Sequence, residues 1–152
     1  MKQIKAPNKY PDDTNKIILF LAGSIEMGKA VNWQDKVVGL LKKRDNLIIL
    51  NPRRDNWDSS WKQDIKNKQF REQVEWELNA QEDADYILMY FDPNTKSPIS
   101  LLELGLFAKS CKIIVVCPDG FWKKGNVDVV CKFYHISVRK TIEAAVNLIK
   151  TN

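Results

Sequence analysis

The chain has a single histidine, His135, and only three cysteines, Cys111, Cys117 and Cys131, with no Cys-x-x-Cys pair. That inventory argues against a zinc site, which draws on clustered Cys and His ligands. An odd cysteine count, with two of the three in or beside an apolar run, points to reduced, buried thiols and not to a disulfide framework. His135 lies near an apolar segment towards the C-terminus and reads as structural. No apolar stretch approaches the roughly 20 residues that span a bilayer. Residues 1–16 lack the apolar core of a signal peptide. The expectation is a cytoplasmic protein with no membrane partner and a flexible, loosely held N-terminal arm over 1–16. No long basic run interleaved with aromatics occurs. The net charge of +5 comes partly from Lys2, Lys5, Lys9 and Lys16 in the arm. Lys42, Lys43 and Arg44 add to it at a helix end, where cations complement the helix dipole. This pattern argues against a nucleic-acid partner.

What remains is an ordinary globular composition: 152 residues, 44% hydrophobic and 28% charged. That is enough for one domain, over 17–152, with a real core. Apolar runs at 17–22, 46–50, 86–91 and 112–117, with a weak fifth at 133–136, alternate with helical patterns at 29–44, 64–82, 100–109, 126–131 and 138–150. Strands this apolar fit a sheet covered on both faces. The alternation predicts an α/β fold in three layers, with a five-stranded, mainly parallel sheet. In the order 2-1-3-4-5, the ligand crevice lies between the first and third of these strands, beyond their carboxyl ends. The loop 22–28 and the segment 92–103 would then face each other.

Several residues in that region carry chemistry. Glu103 sits amid the apolar run Ser97-Pro98-Ile99-Ser100-Leu101-Leu102-Glu103-Leu104-Gly105. With a helix starting near Ser100, it falls in the first turn, beside unpaired N–H groups and the positive end of the dipole. That setting keeps an acid ionised, as a carboxylate nucleophile requires; simple complementation of the dipole explains it as well. Glu77 falls on the helical stripe Phe70, Val74, Glu77, Leu78 and Gln81 and is expected to face inward. A buried acid is costly unless paired. It either meets an Arg or Lys or faces a cavity, where burial would raise its pKa and suit it to donate a proton. Gly23-Ser24-Ile25-Glu26-Met27-Gly28 joins a strand to a helix and could receive an anion or a sugar hydroxyl. It is neither GxGxxG nor a P-loop, and a plain tight turn explains it equally. Asp92 lies at the same end of the sheet; Asp85 lies at the other and reads as a turn residue. Arg53 and Arg54 bind an anion or form salt bridges. Trp57, Trp61 and Trp76 form an aromatic wall or a lid packed on the core.

Phe20-Leu21-Ala22-Gly23-Ser24, Glu77-Leu78, Ala84-Asp85 and above all Leu102-Glu103-Leu104-Gly105 resemble the nucleoside 2-deoxyribosyltransferase family, over roughly residues 17–131. The resemblance implies a flavodoxin-like domain that exchanges the base of a 2′-deoxynucleoside in purine and pyrimidine salvage. Glu103 would attack the anomeric carbon to give a covalent glycosyl-enzyme, and Glu77 would help protonate the leaving base. Phe20, Ala22, Gly23, Ser24, Asp92 and Ser97 would line the substrate. Asn126 would reach the 5′-hydroxyl in a neighbouring subunit's site, which implies a homo-oligomer with shared sites. The partners are a nucleoside and a free nucleobase, and neither metal nor organic cofactor is needed. The chain departs from the family at Glu77, where Asp is usual, and at Leu19 or Phe20, where Tyr is usual. Ser97 stands where transferases often have Asp. A related branch, the nucleoside 5′-monophosphate N-glycosidases, has Ser there and also reads Gly-Ser-Ile in its opening loop. Hydrolysis of nucleosides or nucleotides is therefore the alternative to transfer. A non-catalytic nucleotide-binding or sensing module is the alternative from another class.

Overall fold

Six short segments pair side by side in a computed structural model of the chain, which describes residues 1–11, 15–26, 30–54, 58 and 60–150. They are β1 (Lys2–Lys5), β2 (Ile17–Gly23), β3 (Leu47–Asn51), β4 (Tyr86–Tyr90), β5 (Ile113–Val116) and β6 (Ser137–Arg139). All pairs are parallel, and the order is β1-β3-β2-β4-β5-β6. The helices are α1 (Trp33–Leu41), α2 (Lys68–Asp83), α3 (Pro98–Phe107), α4 (Lys124–Phe133) and α5 (Ile142–Val146). Among the described residues no helix is long and apolar enough to cross a membrane.

Alternation along each strand builds two cores. Ile18, Phe20, Ala22, Ile87 and Met89 pack with Ala80 of α2, Leu104 of α3 and Val127 of α4. Leu19, Leu21, Ile49, Leu88 and Val116 face the other way, onto Trp33 and Val37 of α1 and Ile142 and Val146 of α5. Each large apolar side chain so buried contributes about 1.5–3 kcal/mol. Side-chain caps fix the helix starts: Asn67 accepts from Phe70 N at 3.1 Å and Thr141 from Ala144 N at 3.2 Å.

Leaving β1 aside, the strand order is the one expected; the count is not. The sheet has six strands, because Lys2–Lys5 pairs in register with Ile48–Asn51 instead of forming part of a loose arm. Ile4, only 6% exposed, supplies its core contact. Further along the arm, Tyr10 donates to Asp83 and Asn8 O accepts from the Trp76 indole. Residues 12–14 of that arm lie outside the described residues. The weak strand expected at 133–136 falls instead at Ser137–Arg139, because α4 continues to Phe133. His135, at φ +57°, ends that helix. Ile136 N donates to Cys131 O and His135 N to Lys132 O, the paired bonds of a left-handed helix terminus. The single histidine thus has a structural use.

Candidate active site

β2 runs on into α1 on one face of the sheet, and its neighbour β4 runs on into α3 on the other. The crevice between their carboxyl ends is a topological switch point. The buried polar side chains gather there: Ser24, Asn51, Asp92, Thr95 and Ser97 beyond or at the strand ends, with Gln34 on α1, Gln73 and Gln81 on α2, and Ser100 and Glu103 on α3.

Gly23 ends β2 at φ +131°, against the Tyr90 backbone. The next residue, Ser24, donates its N–H to Tyr90 O at 2.8 Å. Its hydroxyl accepts from Asp92 N (2.8 Å) and Thr95 Oγ1 (2.9 Å) and lies 2.5 Å from Ser97 Oγ. Thr95 and Ser97 are themselves 2.7 Å apart. Three hydroxyls from two loops thus form one buried cluster. Asp92 does not point a free carboxylate into the crevice. Its Oδ1 accepts from Asn94 and its Oδ2 from Val31 N, which ties the β4 loop to the approach of α1. Glu26 accepts from Lys96 N and Ser97 N at the start of α3. Met27 and Gly28, the rest of the expected glycine loop, lie outside the described residues.

Glu103 and Glu77 come together from facing helices. Glu103 is 8% exposed, and its Oε1 accepts from Gln81 Nε2 at 2.7 Å. Glu77 Oε1 accepts from Gln73 Nε2 at 2.7 Å, and that amide also donates to Pro52 O at 2.9 Å. Among the described residues no Lys or Arg forms an ion pair with either acid. Burial pushes the Glu103 carboxyl up to about 7, opposed by the Gln81 donor. Burial also pushes Glu77 up to about 7; the Gln73 donor opposes this and the negative charge of Glu103 adds to it. Ionised Glu103 therefore makes Glu77 harder to ionise.

This corrects the electrostatic expectation for Glu103. The helix begins at Pro98, so Glu103 is its sixth residue and lies beyond the first turn. Helix dipole effects fade past that turn, and desolvation decides the outcome. Glu77 does face inward, but with different neighbours. Val74 and Leu78 are each 37% exposed, and the buried face of α2 is Gln73, Ala80 and Gln81. A polar face suits a helix that covers a crevice.

Phe20 and Ala22 are buried in β2, with the Phe20 ring 6.3 Å from Trp76. Trp76 thereby belongs to the packing of α2. Arg53 reaches Gln34 and Arg54 reaches Gln73, each at 3.5 Å. Arg54 also lies over the Trp61 ring; Trp57 lies outside the described residues. Asp85 closes the opposite end of the sheet by accepting from Ile18 N. Asn126 is exposed on α4, in a groove of about 310 Å³ that it shares with Leu101, Gly105 and Lys123. The structure thus gathers Ser24, Asp92 and Ser97 on one side of the crevice and Glu77 with Glu103 on another. Asn126 lines a separate groove. Sequence reasoning missed Gln73, Thr95, Glu26 and the partnership of Gln81 with Glu103. The spacing Gln73, Glu77, Gln81 at i, i+4, i+8 was the available signal for the glutamines.

A family model described as nucleoside 2-deoxyribosyltransferase-like matches residues 16–121. That span takes in both carboxylates and the hydroxyl cluster and stops short of Asn126. No curated protein matches the chain in sequence. With well over half of its length matched, the chain belongs to the nucleoside 2-deoxyribosyltransferase-like family.

Proposed function

We propose that the protein transfers a 2-deoxyribosyl group from one nucleobase to another through a covalent sugar ester on Glu103. Family membership supports a nucleoside-related transferase or glycosidase. The observation that carries the finer reading is the pair of carboxyls, half-buried Glu77 and buried Glu103, each held by its own glutamine and each pushed up to about 7. Near neutral pH such a pair favours one proton shared between two acids, since two negative charges in one dry site repel. Retaining glycosyl transfer needs that division of labour. Ionised Glu103 attacks the anomeric carbon as the bond to the base breaks. The electron pair goes to the base nitrogen, which takes a proton from neutral Glu77. An incoming base reverses the sequence: its nitrogen attacks the sugar carbon, Glu77 takes its proton, and Glu103 leaves. The Ser24, Thr95 and Ser97 hydroxyls offer partners for sugar oxygens, and the chemistry requires neither metal nor organic cofactor.

The test is incubation with 2′-deoxyinosine and adenine, followed by chromatography. The expected product is 2′-deoxyadenosine, absent with Glu103→Ala. Hypoxanthine and free deoxyribose without new nucleoside would replace transfer by hydrolysis. Thermal stabilisation by nucleotides without turnover would point to a sensing module.

A homo-oligomer with shared sites is part of the proposal. Leu102 and Leu106 of α3 and Val129 and Phe133 of α4 are exposed, Phe133 by 74%. They flank the elements that bear the Asn126 groove. Light scattering on the eluted protein should give at least a dimer mass. Leu102→Glu with Phe133→Glu should give a folded monomer with reduced transfer; a monomeric, fully active parent protein would remove this part.

A further inference from the structure

Gln81 is fully buried on α2, and its amide is used on one side only. Nε2 donates to Glu103 Oε1 at 2.7 Å and makes a longer contact, 3.3 Å, with the Glu77 carbonyl. Among the described residues its Oε1 has no hydrogen-bond partner. An amide retained for packing would have both ends paired, because an unpaired buried acceptor is a cost. The adjacent buried position on the same helix is Ala80, which packs against the sheet with no polar atom to satisfy. What Gln81 adds to the site is its bond to Glu103.

We infer that Gln81 is the positioning residue for the Glu103 carboxylate, fixing Oε1 so that Oε2 is presented to the sugar. The inference rests on the proposed nucleophilic role of Glu103. Among the described residues Oε2 has no hydrogen-bond partner. When the ester forms at Oε2, Oε1 becomes its carbonyl oxygen and still accepts from Gln81. The same bond therefore serves the free and the glycosylated enzyme. In the free enzyme it also favours the ionised form of Glu103 against burial, and among the described residues Glu77 on α2 is the titratable group whose own ionisation the Glu103 charge opposes.

The experiment uses full-length protein and two variants. Gln81→Met keeps the length of the side chain and removes the donor; Gln81→Asn keeps an amide but withdraws it and covers the case in which Gln81→Met does not fold. Glu103 is titrated by carboxyl ¹³C NMR, its resonance assigned by its loss in Glu103→Gln. Transfer is measured across pH with 2′-deoxyinosine and adenine. The expected result is a Glu103 midpoint raised by about one pH unit, with the acidic limb of the rate profile moved equally. We expect kcat down about 10–100-fold and KM within about 2-fold. An active parent whose midpoint and acidic limb do not move in either variant overturns the inference. A parent that shows no transfer, with the midpoint still shifted, overturns instead the function on which it rests and with it the catalytic meaning of the bond.

Discussion

Glu103→Gln should abolish the proposed base exchange and, above pH 7, make the fold more stable. The amide keeps the shape of the side chain and loses the proposed nucleophile, so transfer should fall by on the order of 10³-fold or more. The stability gain follows from the sign of the linkage. Burial raises this carboxyl from its ordinary 4.5 to about 7, so the folded chain holds the proton more tightly than the unfolded one. Below about pH 4.5 both states are protonated and the group costs nothing electrostatically. As pH rises from there towards 7, the unfolded state ionises freely and the folded state must ionise a buried acid, so stability falls. A neutral amide avoids that loss. Glu103→Gln should therefore gain about 1–3 kcal/mol at pH 8 and almost nothing at pH 4. Glu77→Gln should follow the same pattern. Removing the Glu103 charge also relieves Glu77, because that charge is one cause of the raised Glu77. Urea unfolding of the parent and Glu103→Gln at the two pH values measures this. Equal stabilities at pH 8 would mean that Glu103 is not desolvated as its surroundings imply. A site residue that destabilises its own fold is the usual mark of a group kept for chemistry.

The same contrast between burial and function explains what could be read in the sequence. Ile17–Gly23, Leu47–Asn51, Tyr86–Tyr90 and Ile113–Val116 were legible because a parallel strand covered on both faces is apolar at nearly every position. From them follow the sheet order and the crevice, and so the placing of Ser24, Asp92 and Ser97 at one end. β1 was not legible because Lys2-Gln3-Ile4-Lys5 has one apolar residue, and its pairing is supplied by the open edge of β3. The inward turn of Glu77 was legible, but its neighbours were not. Hydrophobic periodicity finds the face that meets a core, whereas the middle of α2 covers a polar crevice with Gln73, Glu77 and Gln81. The state of Glu103 was misread because two residues decide it. Starting the helix at Pro98 instead of Ser100 moves Glu103 out of the first turn and leaves desolvation unopposed by the dipole. Thr95 and Ser97 join Ser24 only through the adjacency of β2 and β4, which no local pattern encodes.

Gly23→Ala should be the most damaging glycine-to-alanine substitution among the described residues. Gly23 is paired with Tyr90 where β2 meets β4. An added Cβ would lie 2.2 Å from Tyr90 O, 2.6 Å from its N and 3.0 Å from its carbonyl carbon. All three atoms are backbone of a central strand, so no side-chain rotation relieves the clash. The φ of +131° is itself a conformation that residues with a Cβ rarely adopt. Overpacking costs about 1–3 kcal/mol, and backbone strain costs a similar amount. A loss of about 3–5 kcal/mol is expected, a large share of the roughly 5–15 kcal/mol that holds a domain together. The melting temperature should fall by on the order of 10 °C. Gly39 in α1 is the control, since a Cβ there meets nothing within 4 Å. Gly39→Ala should instead stabilise by about 0.5–1 kcal/mol through helix propensity. Urea unfolding of both variants decides the matter, and a Gly23→Ala loss no larger than about 1 kcal/mol would show that β2 and β4 can separate cheaply. The expected defect also reaches the site. Moving β2 from β4 strains the Ser24 N–H bond to Tyr90 and shifts the Ser24 hydroxyl off Asp92 N, Thr95 and Ser97. The folded fraction of Gly23→Ala should accordingly transfer base more slowly than its concentration predicts, because the close approach of two strands is also what assembles the hydroxyl cluster.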